Sequence, residues 1–305
     1  MNEPQVEILM TTYNGELFLK EQFESILAQT YRNWHLTVSD DGSTDGTNAM
    51  IDAYERVYPD KIRRVRYPER FGSPKAHFLR LCRDCDAPLM AFCDQDDVWF
   101  PDKLEKMLTK ALRFEQSIPL LVFTDQIPTD AALQPLGASA MKMAKQYTAH
   151  IEWQAVIFRN TVTGGACLFN RALTRLACRN EDTAGIIMHD WWLAAVAARF
   201  GNIIYIDAPT GFYRQHAQNY IGAKDVGKLS YIWSRLTDIA DVKTSIILRK
   251  EQARQMSDAY AERLSVSDKA FLQSFAKTHS GALFYLKNLR YIHGFFRALS
   301  LIILG

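Results

Sequence analysis

Four apolar, strand-like runs, each followed by a helix-like period, recur before residue 115, and this alternation limits the chain to few architectures. Val6 to Met10 forms the first run, and Leu19, Phe23, Ile26 and Leu27 behind it share one helical face. Leu36 and Val38 alternate with polar neighbours and lead into Asp40, Asp41 and a Gly/Ser/Thr/Asp turn. Met50, Ile51, Tyr54 and Tyr58 then restart the helical period. "RRVRYPER" is a third short strand and "KAHFLRLCRDC" a third helix. "PLMAFCDQDD" is a fourth strand, apolar enough to be buried on both faces. Pro101 suits the first turn of a helix striped by Leu104, Met107, Leu108, Ala111 and Leu112. The pattern predicts an α/β fold, a Rossmann-like, mainly parallel sheet flanked by helices.

In such sheets ligands bind outside the carboxyl ends of the strands. Thr11 to Asn14, Asp40 to Ser43 and Asp94 to Asp97 each follow a strand, so three polar loops are expected on one rim. Asp94-Gln95-Asp96 is a D-x-D, and its oxygens suit a hard divalent ion, Mg²⁺ or Mn²⁺. Paired acids alone are more often a solvated turn; the strand end and the second acidic loop favour the ion. Asp40-Asp41-Gly42-Ser43 is built from turn formers, and a carboxylate there also accepts the N–H of a pyrimidine base. Thr12-Tyr13-Asn14-Gly15 either caps the first helix or lines a nucleotide.

Beyond Leu120 the order loosens. "LLVFTD" is strand-like, Ile127 to Ser139 is rich in turn residues, and Gly164 and Gly165 point to close backbone approach. "HDWWLAAVAARFG" is a helix stopped by Gly201 and "NIIYIDAP" a last strand, with Asp190 either an N-cap or a reacting acid. From about Lys224 proline disappears and helix formers dominate. The expected organisation is a domain over 1–223, with halves near 1–115 and 116–223, and a helical region over 224–305. Within the latter, one helical wheel gathers Lys287, Arg290 and Arg297 opposite Phe284, Tyr291, Phe295, Phe296 and Ile302, although Leu283, Leu286 and Leu301 intrude on the basic side. Such a helix either lies in a membrane interface or packs on protein.

Thirty-six basic residues against thirty-four acidic ones leave a charge of +2, which argues against a dedicated polyanion binder and predicts no nucleic-acid partner. No apolar run approaches the roughly 20 residues of a membrane span. Five cysteines, an odd number, and no leader-like segment at "MNEPQVEILMTTYNG" point to a reducing cytoplasm. Cys82 and Cys85 form a C-x-x-C with no second pair at zinc spacing and are read as helix-end residues.

"ILMTTYNGELFLKEQFESILAQTY", "LTVSDDGSTDGT" and "FCDQDDVWFPDKL", in this order, resemble the nucleotide-binding half of the inverting glycosyltransferases of family 2, which have the GT-A fold. "TGGACLFNR" and "MHDWWLAAVAARFGNIIYIDAPTGFYRQH" resemble the acceptor half, closest to the bacterial rhamnosyltransferase branch that builds surface polysaccharides. The resemblance spans about residues 5 to 220. It implies that Thr11, Tyr13 and Asp41 hold the base, with Asp40 and Asn14 beside them, Asp94 near the ribose and Asp96 on the metal. Lys75 would border the donor phosphates, in a segment where relatives commonly carry Asn at the place of His77. Asp190 would be the catalytic base. His216 either completes the metal shell or is structural, Arg214 pairs with phosphate or lies on the surface, and Trp191 and Trp192 stack on an acceptor above Gly164 and Gly165 unless one of them packs in the core.

The implied activity moves a sugar, foremost rhamnose from dTDP-rhamnose, onto a saccharide or lipid-linked saccharide. The protein would be cytoplasmic, with peripheral membrane contact through its C-terminal helix. A UDP-sugar donor, or a silent nucleotide-sugar-binding partner protein, are the competing readings. A sugar-nucleotide pyrophosphorylase would need a Gly-rich phosphate loop, and "TTYNGELF" is not one.

Overall fold

The structure is a computed structural model that describes residues 3–146, 148, 151–179, 181–216, 239–277, 281–293 and 295–304. The boundary expected near residue 223 lies outside the described residues. Eight strands form one sheet: β1 (Val6–Thr12), β2 (Trp34–Asp40), β3 (Ile62–Val65), β4 (Leu89–Cys93), β5 (Val98–Trp99), β6 (Leu120–Thr129), β7 (Cys167–Asn170) and β8 (Asn202–Arg214), in the order β3-β2-β1-β4-β7-β6-β8-β5. β1 to β4 are joined by α1 (Leu19–Leu27), α2 (Thr47–Val57) and α3 (Pro74–Asp84), and every pairing among these four strands is parallel, as the alternation requires. α4 (Lys103–Ala111) follows β5, α5 (Ala140–Met143) and α6 (Trp153–Phe158) lie between β6 and β7, and α7 (Arg171–Ala177) and α8 (His189–Phe200) precede β8.

Strand periodicity divides the core in two. Ile8 and Met10, Leu89, Ala91 and Cys93, and Leu120 and Val122 face one layer, with Leu19, Phe23, Leu104 and Met107 from α1 and α4. Leu9, Met90, Phe92, Leu121 and Phe123 face the other, with Phe78 of α3 and Leu193 and Val196 of α8. All five residues of β4 are buried, which explains its unbroken apolar run.

The one irregularity that matters is β7. It pairs antiparallel with β4, Ala91 opposite Leu168, so the residues before β7 arrive where the residues after β4 depart. Gly164 and Gly165 are thereby delivered to the rim that carries Asp94. Alternation alone predicted a parallel neighbour; an antiparallel strand brings its beginning to the ligand side.

The helices Ile239–Ala259 and Val266–Ala276 cover the second layer of core. Tyr260 stacks on Trp192 with centroids 5.9 Å apart, and its hydroxyl donates to the Leu176 carbonyl at 3.1 Å. The single amphipathic helix expected near the C-terminus is three pieces: a helix at Ala282–Lys287, a 3₁₀ turn at Leu289–Tyr291 and a helix at Phe295–Leu304. Its aromatic side is spent inward, because Tyr285 and Tyr291 are buried and Phe284 meets Phe271, Phe275 and Phe158. The side chains of residues 295, 296 and 297 lie outside the described residues. No described helix is long and apolar enough to cross a membrane.

Candidate active site

Adjacent parallel strands place the three polar loops side by side: Thr12 is in register with Asp40, Met10 with Cys93, and the Asp41 amide donates to the Thr12 carbonyl at 2.8 Å. Asp40 organises the second loop. Its carboxylate accepts from the Gly42 and Ser43 amides, the Thr12 and Ser43 hydroxyls and the Asn48 amide group. Burial raises its proton affinity, but the Ser43, Thr12 and Asn48 hydrogen bonds outweigh that and hold it below the usual carboxylate range. Asp41 accepts from the Phe71 and Gly72 amides at 2.6 and 2.8 Å. Arg70 grips the Asp41 and Gly42 carbonyls and holds its guanidinium carbon 5.6 Å from the ring centre of Tyr13, which is 52% exposed.

Asn14 takes φ +47°, a left-handed position asparagine tolerates, and both its amide and its side chain bond into the Ser43–Thr44 turn. Gln95, the middle residue of the D-x-D, pairs its amide with both backbone groups of Tyr13, at 2.9 and 3.0 Å. Thr11 sits beside Ser39 at the end of β1.

The acids gather around Gly164 and Gly165. The Gly165 amide faces Asp94, and the preceding Gly164 amide faces Asp190. A methyl group on Gly165 would lie 2.8 Å from an Asp94 oxygen and 2.9 Å from an Asp97 oxygen, so a larger residue would have to push both carboxylates aside. Burial first, then the Asp96 and Asp190 carboxylates, push Asp94 up to about 7. Burial pushes Asp190 up to about 6, against hydrogen bonds from the Trp191 amide, the Asn160 side chain and the Gly164 amide. Asp190 is not the N-cap of α8; that place is held by Met188, and Asp190 lies inside the first turn.

Beneath this group sits Lys103, fully buried. Its ammonium donates to the Gly165 carbonyl and lies 4.3 Å from the Trp99 ring centre, and burial draws it down to about 8 while Asp97, Cys93, Cys167 and Asp94 oppose that shift. Asp97 is completely buried as well, accepting from Gln126 at 3.0 Å and from the Arg214 amide at 3.3 Å. Asp96 and His216 meet at 2.8 Å. Two ligands on adjacent positions of an octahedral ion are about 3 Å apart, so this carboxylate and imidazole suit one Mg²⁺ or Mn²⁺. Among the described residues no three acid, His or Cys side chains form a metal cage.

Three of the candidate side chains have their polar groups engaged elsewhere. Arg214 is 2% exposed, and its guanidinium donates to the Asp96 and Ala131 carbonyls and to Glu21, so it supports the acidic loop from below. Lys75 bonds the Thr183 and Ile186 carbonyls and anchors the approach to α8. Trp192 is 2% exposed with its indole N–H on the Ala177 carbonyl, a core residue with no face for a sugar. Trp191 stays half-buried, its N–H on the Val156 carbonyl. His77 stacks on Phe71 and meets the Ser39 hydroxyl at 2.8 Å; burial lowers it to about 4, so it is neutral.

Lys103, Gln95, Arg70 and Asn160 were missed. Lys103 had a signal, a cation on the apolar stripe of its helix with Leu104 and Met107; the other three had none.

This rim, with one lobe of parallel strands and an acidic loop bridged to a second lobe, defines a GT-A type nucleotide-sugar transferase. The chain belongs to glycosyl transferase family 2, whose model matches residues 7–160. It is 29% identical over 234 residues to the dTDP-rhamnosyl transferase RfbG of Shigella flexneri, covering 73% of this chain and 76% of that one. The S. aureus TarS 1-349 structure in complex with UDP-GlcNAc superposes with a TM-score of 0.55 at 12% identity, over 98% of this chain and 84% of the other. The mannosyltransferase PcManGT from Pyrobaculum calidifontis, in complex with GDP-Man and Mn²⁺, gives 0.55 at 18% identity, over 99% and 79%. The protein is a glycosyltransferase.

Proposed function

We propose that the protein moves rhamnose from dTDP-rhamnose, with inversion, onto a saccharide or lipid-linked saccharide during assembly of a bacterial cell-surface polysaccharide. The observation that carries the reaction is the meeting of Asp94 and Asp190, one acid from each half of the chain, at Gly165 and Gly164. The likeness to RfbG over most of both chains supports the donor.

Inversion is one in-line displacement: the acceptor oxygen attacks the anomeric carbon as the bond to the diphosphate breaks, and one carboxylate takes the hydroxyl proton. Asp190 is that base. Asn160 and the Gly164 amide fix its direction, and a single acid at the reacting carbon distinguishes the site from a hydrolase with two. The base of the donor lies against Tyr13 and Arg70, bordered by Thr11, Asn14 and Asp41, with Asp40 keeping the turn rigid. Asp94 faces the ribose. Asp96 and His216 would hold Mg²⁺ or Mn²⁺, which when bound would offset the charge of the departing diphosphate. Trp191 borders the acceptor. The enzyme is placed in the cytoplasm, peripheral on the inner face of the cell membrane, where a lipid-linked acceptor presents its saccharide.

A melting-temperature screen with Mn²⁺ tests the donor. At a hundred times its dissociation constant, dTDP-rhamnose stabilises by about 2.7 kcal/mol, roughly 4 °C for a chain of this size. A rise with UDP-glucose and none with dTDP-rhamnose would transfer the assignment to a UDP-sugar, and silence toward every nucleoside diphosphate would end it.

The pH profile tests the base. Because burial raises Asp190 to about 6, its ionised form is complete above about pH 7 and disappears as the pH falls through 6. With donor and metal saturating, kcat is expected to be level above about pH 7 and to drop about tenfold per unit below about pH 5. A rate still level at about pH 5 contradicts the role.

A further inference from the structure

We infer that the face formed by Ala282–Lys287 and Leu289–Tyr291 is a docking surface for an anionic lipid bilayer, an inference that rests on the peripheral location proposed above and gives it residues. The two sides of this segment divide sharply. Tyr285, Tyr291 and Ile292 are buried against the core, whereas Leu283, Leu286 and Leu289 are 63%, 51% and 43% exposed. Lys287 and Arg290 are exposed on the same short stretch, Arg290 bonding the Tyr291 hydroxyl with Glu152 nearby. Two of the leucines that intruded on the basic side of the helical wheel, Leu283 and Leu286, are left outside among the cations, and the third, Leu301, is buried. The helix Phe295–Leu304 packs against Ala282–Lys287 and adds Leu299 and Ile303, 41% and 67% exposed.

Charge selects the occupant. Asp268 is the last acid of the chain; five cations, Lys269, Lys277, Lys287, Arg290 and Arg297, follow it, while residues 1–268 hold 31 basic against 34 acidic residues. A like copy of the chain would bring cation against cation at this face, and water gains nothing from five open aliphatic side chains. An anionic interface accepts both: the leucines enter the headgroup boundary and the cations meet lipid phosphates. The stretch is short and broken, which suits lying on the surface and not crossing it.

The test is sedimentation of the full chain with vesicles of phosphatidylcholine alone or mixed with phosphatidylglycerol. The chain should bind the mixed vesicles, more weakly as salt rises. Lys287→Gln with Arg290→Gln should weaken that binding about 30-fold, and Leu283→Ser with Leu286→Ser and Leu289→Ser at least about tenfold, with unchanged melting temperatures. No binding to mixed vesicles, binding equal in both variants, or a concentration-dependent dimer abolished by the serine variant would overturn the inference. Nucleotide-sugar stabilisation, measured on the same variants without lipid, separates the outcomes. Vesicle binding without a nucleotide response sinks the enzymatic reading alone, and the reverse sinks the membrane surface alone.

Discussion

Asp190→Asn is expected to lower the rate of sugar transfer by about 10²–10⁴-fold, the contribution of a positioned general base, while leaving donor affinity nearly intact. Asparagine keeps the shape and still accepts from the Gly164 amide, so the pocket stays assembled. What it lacks is a lone pair basic enough to take the hydroxyl proton as the new bond forms. Steady-state kinetics paired with calorimetric titration of the donor and Mn²⁺ separate the two effects. Equal loss of binding and turnover would mean that the carboxylate serves the donor and that another group receives the proton.

Lys103→Met should be the most costly single change for stability outside the aromatic core. The Gly165 carbonyl would lose its buried donor, at about 1–3 kcal/mol. The acids above would also lose a buried cation, and stranding charge in this way costs about 3–5 kcal/mol when a direct pair is broken. Since the ammonium bonds the carbonyl and not Asp97 itself, a total on the order of 3 kcal/mol is expected, read as a lower midpoint in denaturant. Adding Asp97→Asn to Lys103→Met should recover part of the loss by removing the charge left behind. If the double variant is no more stable than the single one, Lys103 acts through packing against Trp99 alone.

The first half of this fold was legible because β1, β2 and β4 are buried along most of both faces and helices alternate with the strands, so periodicity and order suffice. The three rim loops followed from the same reasoning. β7 was not legible as antiparallel, since a four-residue apolar run carries no direction. Nor was the destination of long cations. Arg214 and Lys75 looked like phosphate ligands, yet each has a buried backbone carbonyl to satisfy, and a sequence does not display which carbonyls lack partners. The C-terminal wheel left membrane and protein packing open, because Phe158, Phe271 and Phe275, which Phe284 of its aromatic side meets, are distant in sequence.

The meeting of Asp94 and Asp190 at two neighbouring glycines bears on how such a catalyst tolerates change. One acid arrives from each half of the chain, and Gly164 and Gly165 leave the room that both need. Pockets on either side are open to remodelling for new sugars, whereas a side chain added at either glycine would crowd the machinery itself.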